Sequence, residues 1–458
     1  IGFGNSVYQG SERYALRNFI QQFHKVEAKG KDFFIRSYMS QTKAGDSYNL
    51  TALGAYTNEL ARPSSDWVGN PTTGYYANLL PQLLPAILSP TSSVANILSN
   101  PQIYYTMTDS ARSAADRPWN TLTKEQQQAK IEAVRNGLFQ QNGAHFIDNS
   151  RLFHTEAMLD LSRWTGKWID IQIGGNHRLY SLYTQGTVFN EDPNGTGKFK
   201  RIKINEYGAY LQLQRKFFKD IFKIQASVRV DKNQNFKVIV SPRAAFVATL
   251  GKDRNHNIRL SYQTGFRNPD SQAQYIYFPT SNILLGGTKA NAERYGIYNG
   301  GAYTQMSYKE FIASGATDST KLKISNFKYI KPENLQVVEL GYKTVLFKKL
   351  LIDVNAYMNI YKDFITQITV FSKDSTRQRG ALLPAGTSWR PYVNVPGKTY
   401  SYGVGVGVAY SLPKNIQVKA NYNYMNYKVK GGDSAIATAS DLGFNSSKHQ
   451  FYVGISGT

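Results

Sequence analysis

The nine residues FKIQASVRV at 222–230 set Phe222, Ile224, Ala226, Val228 and Val230 against Lys223, Gln225, Ser227 and Arg229, apolar and polar in strict turn. Successive side chains point to opposite sides in a β-strand, so this stretch has one apolar and one polar face and is not a helix. In a soluble sandwich the apolar face meets a protein core. In an outer-membrane barrel it meets lipid, and the polar face lines a lumen. The alternation alone fits both.

The rhythm recurs at 257–267, 351–361, 400–410 and 416–424, with Gly403, Gly405 and Gly407 on the second face of 400–410. Weaker copies lie at 19–28, 33–43, 152–162, 168–174, 205–217, 236–250, 335–346 and 450–456. This makes about thirteen strands, several near the roughly 9 to 11 residues that cross a bilayer at a tilt. No window holds the roughly 18 to 20 uninterrupted apolar residues of a spanning helix, so a membrane protein with this sequence is a barrel. The 32 Tyr, 24 Phe and 37 Gly, with a mean hydropathy of −0.42, suit apolar residues dispersed by alternation.

The connections discriminate between the two folds. Short links at 29–31, 165–167, 219–220, 251–256, 347–349 and 412–415 alternate with long ones at 44–150, 190–198, 268–331, 362–395 and 429–446. Only DKNQN at 231–235 breaks the series. Outer-membrane barrels have this arrangement, with short periplasmic turns and long external loops, whereas a sandwich has no reason to collect its long loops at one end. Aromatic residues gather at the short turns, at Trp164, Trp168, Phe217, Phe218, Phe222, Phe347 and Tyr410, as in an interfacial girdle.

The formal charge of +23 comes from scattered basic residues, many alternating inside strands as Lys223, Arg229, Lys237 and Arg243 do. A nucleic-acid binder needs a denser basic tract, so nucleic acid is not an expected partner. Cysteine is absent, which excludes disulfides and thiolate metal sites. The opening IGFGNSVYQG reads like the interior of a longer protein, so further sequence is expected upstream.

The insertion at 44–150 has a helix signal at 124–138, opened by Thr123 with Gln126 three residues later as a capping box. Pro81, Pro85 and Pro90 argue against one long helix over 75–98. Its Leu, Tyr and Trp content suffices for a folded cap over a barrel mouth.

Five stretches carry a family resemblance: SERYALRNF (11–19), FFIRSYMSQTKAGDSY (33–48), RVDKNQNF through SPRAAF (229–246), LSYQTGFRNP (260–269) and KPENLQVVELGYK (331–343). In order and spacing they resemble the C-terminal barrel portion of TonB-dependent outer-membrane receptors, particularly the SusC-like branch. The resemblance implies an all-β transmembrane antiparallel β-barrel of about 22 strands, with residues 1–458 forming about thirteen of them. It also implies a plug that contacts TonB, which is not found in this chain and is expected outside it together with the remaining strands. The implied function is TonB-dependent import of a bulky nutrient (glycan, peptide or chelate) across the outer membrane of a Gram-negative bacterium, with a SusD-like surface lipoprotein as a further partner. A passive porin and a structural or secretion-associated docking platform are the alternatives.

No catalytic constellation is found. His24, His145, His154, His177, His256 and His449 lack metal-ligand spacing, and no HExxH, GxSxG or Walker loop occurs. Glu191, Asp192, Asn194 and Gly195 read as a turn, without the remaining ligands of a calcium loop. No enzyme activity, cofactor or metal is expected. A transporter's ligand is held by loop and upper-lumen residues with ring faces and polar groups. The candidates are Trp67, Tyr75, Tyr76, Tyr104 and Tyr105 in the first insertion, Tyr295, Tyr298 and Tyr303 in the second, and Trp389 and Arg390 in the third. Arg62, Arg112 and Arg117 are candidates for lipopolysaccharide phosphates.

Overall fold

A computed structural model describes residues 1–9, 12–88, 101–166, 168–279, 282–378, 381–431 and 447–457. Its main strands are Gly2–Gln9, Arg13–Lys29, Phe33–Lys43, Arg151–Asp160, Asp170–Leu182, Ile202–Phe217, Phe222–Asn233, Ile239–Leu250, His256–Arg267, Glu333–Leu346, Leu350–Lys362, Lys398–Ser411, Gln417–Lys430 and His449–Ser456. They are hydrogen-bonded neighbours in that order. Every segment marked by alternation is a strand. The first strand, Gly2–Gln9, is an addition: a register shift between Gly4 and Ser6, opposite Leu16–Phe19, breaks its alternation and hides it from a period-two reading.

The chain divides into two compact units, one of residues 1–22 and 42–149 and the other of residues 23–41 and 150–458. In the second unit the antiparallel register builds continuous rows. One outer row runs Ile224, Phe246, Leu260, Leu340, Ala356, Val404, Tyr424 across seven strands. Five of these seven are exposed, Ile224 at 46%, Leu260 at 49% and Leu340 at 53% among them. The polar neighbours Gln225 and Ser227 are less open, and Asn233 is buried. In water this band would be an aggregation surface, but against acyl chains it has the polarity of its solvent. The fold is therefore that of an all-β outer-membrane barrel.

Short connections at 161–169, 218–221, 251–255, 347–349 and 412–416 share one end of the unit. Phe347 and Lys348 both take positive φ, 53° and 55°, as a tight hairpin turn requires, and Phe347 is 88% exposed. Trp164, Trp168 and Phe218 are also exposed at this end.

At the other end the stretches 268–331 and 362–395, expected as loops, fold together. They form a six-stranded mixed sheet ordered Tyr277–Phe278, Ile283–Leu285, Ser388–Asn394, Val370–Ser372, Ala302–Thr304, with Ile365–Gln367 on Ser388–Asn394. Ile283–Leu285 pairs parallel to Trp389–Pro391, so neither stretch completes the sheet alone. A core of Leu285, Tyr295, Ile297, Phe327, Val370, Trp389 and Val393 lies beneath it.

The first unit carries the helices Leu50–Ala61, Ser64–Gly69, Tyr75–Leu88, Pro101–Ala115, Arg117–Asn120 and Lys124–Asn136. The capping box forms as read: Gln126 N–H donates to Thr123 Oγ1 at 3.3 Å, and Thr123 N–H to Gln126 Oε1 at 2.9 Å. Pro81 and Pro85 lie inside the helix Tyr75–Leu88 without ending it, while the rest of 75–98 lies outside the described residues. Each proline removes one helical hydrogen bond, and packing against Pro101–Ala115 with Leu79 buried compensates. Pro90 lies outside the described residues.

Candidate functional site

In each unit polar and aromatic side chains collect around a cavity. On the inner face of the strands, register brings His154, Arg178, Glu206 and Asn233 into one row, and Arg36, Glu156, Asn176, Gly208 and Asp231 into the next. Glu206 accepts from Arg178 Nη1 at 3.2 Å, Asn233 Nδ2 at 2.9 Å and Asn268 Nδ2 at 3.0 Å. Arg229 clasps Asp231 through Nε at 2.8 Å and gives Nη2 to Asn176 Oδ1 at 2.6 Å. Gly208 makes room for this cluster: a Cβ there would stand 2.2 Å from Arg229 Nη2.

Asn176, Arg178, Glu206, Arg229, Asp231 and Asn268 border a cavity of about 430 Å³ that Tyr180, Phe266 and Asp270 also line. Three basic residues (Arg178, Arg229, Lys232) face three acidic ones (Glu206, Asp231, Asp270) in its lining. Arg178 Nη2 and Arg229 Nη1 make no hydrogen bond among the described residues, and Asn268 Oδ1 is buried without a partner. Pre-aligned guanidinium and amide groups suit a polar ligand held by charge-assisted hydrogen bonds. Sequence reading missed this cluster because each member is one ordinary polar position of an alternating strand. Only cross-strand register unites them.

The second place is a cleft of about 580 Å³ in the helical unit. Trp67 and Tyr75 line it with rings stacked 5.2 Å apart and 10° from parallel. Trp67 Nε1–H donates to Asp116 Oδ1 at 2.8 Å. Burial, with Tyr104 nearby, pushes the Tyr75 phenol above its ordinary pKa. Arg62 is also at the cleft but is buried, donating to Asp66 Oδ2 at 2.6 Å, Ala115 O at 2.7 Å and Thr73 Oγ1 at 2.9 Å. Its expected role toward lipopolysaccharide is therefore corrected: it ties three helical segments together and offers no open guanidinium. Hydrogen bonds from Asn70 and Arg62 hold the Asp66 carboxyl below its usual range. Arg112 and Arg117 are exposed.

The other predicted ligand residues separate. Tyr76, Tyr104 and Tyr105 are 51%, 45% and 57% exposed, outside the cleft lining. Tyr295, Tyr298 and Trp389 are packed inside the core of the loop sheet, Tyr298 with its ring 4.7 Å from Phe327. Tyr303 is half-buried opposite Phe371, and Arg390 is exposed opposite Leu284. The acidic turn is engaged in its own loop: Glu191 accepts from Thr184 Oγ1 at 3.0 Å and Gly186 N–H at 2.5 Å, and Asp192 from Gly197 N–H at 2.6 Å.

A family model described as TonB dependent receptor-like, beta-barrel matches residues 15–457. No curated protein sequence matches the chain. Among solved structures, the siderophore receptor PirA from Pseudomonas aeruginosa is similar at 10% identity and a TM-score of 0.46, over 92% of this chain and 51% of its own. The FrpB iron transporter from Neisseria meningitidis is similar at 9% identity and a TM-score of 0.47, over 94% and 46%. A variant of the ferric enterobactin receptor from Pseudomonas aeruginosa is similar at 12% identity and a TM-score of 0.47, over 90% and 43%. The chain thus spans about half the length of these structures, or less.

Proposed function

Since the chain belongs to the TonB-dependent receptor-like β-barrel family, we propose that it forms the greater part of a SusC-like importer. This importer takes a bulky nutrient (glycan, peptide or chelate) across the bacterial outer membrane at the expense of TonB-delivered energy. The observation that carries this reading is the opposition of faces on the same strands. An open apolar band of Ile224, Leu260 and Leu340 backs onto an inner face where Arg178, Glu206, Arg229 and Asp231 are held ready for polar cargo. Lipid outside and a hydrated passage inside require this division.

In this reading 44–150, 268–331 and 362–395 are extracellular, and the Trp67–Tyr75 cleft and the cavity beside Arg178 and Arg229 each serve as a contact site for cargo. Arg390, exposed on the loop sheet, and the half-buried Tyr303 guide it, and a SusD-like lipoprotein is the surface partner. The test is uptake of candidate nutrients by cells expressing the complete protein, with TonB intact or deleted. Accumulation that disappears without TonB supports the reading. Ion conductance of the purified protein without TonB would make it a porin, and copurification with secretion components would make it a docking platform.

A further inference from the structure

No Asp, Glu, Lys, Arg or His occurs between Asp66 and Asp109, in a chain of which 19% is charged. Much of this stretch is the helix Tyr75–Leu88 and the beginning of Pro101–Ala115, which pack side by side. Leu79 is buried, while Tyr76, Leu80, Leu84 and Leu88 recur at four-residue spacing and form one stripe. They are 51%, 43%, 47% and 75% exposed. Pro81 and Pro85, which have no N–H to satisfy, share the open surface. A helix with apolar packed and open faces and no charge belongs in a core or in lipid.

Polarity is graded along this helix pair. Tyr76 stands at the start of Tyr75–Leu88 with its ring 5.5 Å from that of Tyr75, and Tyr104 and Tyr105, with rings 6.1 Å apart, precede Asp109 on Pro101–Ala115. Toward the tip of Tyr75–Leu88 the open side chains are Leu80, Leu84, Ile87 and Leu88. In the opposite direction come Asp109, Arg112 and Asp116. Hydrocarbon, amphipathic rings, then charge is the succession across a lipid–water boundary. The helix rises about 18 Å from Tyr76 to Leu88, close to one leaflet of a hydrocarbon core about 30 Å thick. It is too short to span that core.

We propose that the helix Tyr75–Leu88, packed on Pro101–Ala115, is a half-depth lipid anchor, with Leu80, Leu84, Ile87 and Leu88 seated among the acyl chains of one leaflet and the three tyrosines at the headgroup boundary. A protein partner could cover the stripe, but it has no need of a graded series ending in charge. The anchor is independent of the transport reading.

The absence of cysteine makes the test direct. Leu84→Cys and Glu132→Cys each carry one environment-sensitive fluorophore, on protein reconstituted in phosphatidylcholine–phosphatidylglycerol vesicles with or without doxyl-labelled acyl chains. Doxyl lipid quenches the probe at position 84 several-fold while iodide leaves it unchanged, and the probe at position 132 responds the other way. Quenching at 84 by iodide alone would mean an open face, and shielding from both quenchers would mean a protein cover; either overturns the anchor. If Leu84→Cys does not fold, Leu88→Cys gives the same readout at a side chain that packs against little.

Discussion

Tyr295 and Trp389 come from different long connections between strands, yet their rings lie 5.4 Å apart, inclined by 54°. Tyr277 stacks on Tyr295 at 4.9 Å and lies 6.5 Å from Trp389, which is fully buried. Trp389→Ala is expected to cost about 3–5 kcal/mol, the usual range for a large aromatic side chain removed from a core. Hydrogen exchange should show 268–331 and 362–395 losing protection together while His256–Arg267 keeps its own. Loss confined to one stretch would contradict a shared core.

Val228 and Ser227 are adjacent on one strand and face opposite ways. Lysine at position 228 would enter the open apolar band at a cost of about 2–4 kcal/mol near mid-bilayer, whereas lysine at 227 would join the polar face at little cost. The yield of heat-modifiable, membrane-assembled protein should fall for Val228→Lys and stay near normal for Ser227→Lys.

The phenol of Tyr298 is pushed well above its ordinary pKa, first by burial and then by neighbouring Tyr329. A pKa raised on folding contributes stability that is complete below the unfolded value of about 10 and declines as pH rises beyond it. The loop sheet should therefore resist proteolysis at pH 9 and weaken by pH 11. Tyr298→Phe should reduce that dependence, and an unaltered pH profile would assign it elsewhere.

Gly208 and Gly341 differ in what a side chain would meet. A Cβ at Gly208 falls 2.2 Å from Arg229 Nη2 and 2.6 Å from Asp231 Oδ1, whereas at Gly341 its nearest neighbours are 3.8 Å away. Gly208→Val should displace Arg229 and lower cargo uptake about tenfold, the equivalent of one charged hydrogen bond of about 1.5 kcal/mol, with assembly intact. Gly341→Val should transport normally, and equal uptake by both variants would remove the Arg229 cluster from the cargo path.

Arg62 and Arg112 face the same cleft with different duties. Arg62→Ala strands the buried carbonyl of Ala115 and should destabilise the helical unit by about 1–3 kcal/mol. Arg112 pairs with Asp116 only at 3.7 Å and is 71% exposed, so Arg112→Ala should leave stability near normal. Thermal melts followed by circular dichroism separate the two.

Strand faces are legible in this sequence because alternation is a local property, carried whole within FKIQASVRV, and the Thr123 cap is equally local. Gly2–Gln9 escapes because its bulge shifts the period, and the Pro81–Pro85 helix because tertiary packing outweighs two missing hydrogen bonds. The Trp67–Tyr75 cleft is half legible: ring-rich loops point to it, but the stacking and the Asp116 partner do not follow from spacing. The Arg178–Glu206–Arg229 cluster requires the register of three strands. The loop sheet rests on three-residue pairings between distant segments, too short to bear any period.

The parallel seam between Ile283–Leu285 and Trp389–Pro391 also bears on inheritance. A recombination crossover falling between residues 285 and 389 would give a mosaic gene half of one interior and half of another, so a surface built this way diversifies in pairs. Grafting a new specificity onto this scaffold means moving both partners of the seam from the same parent.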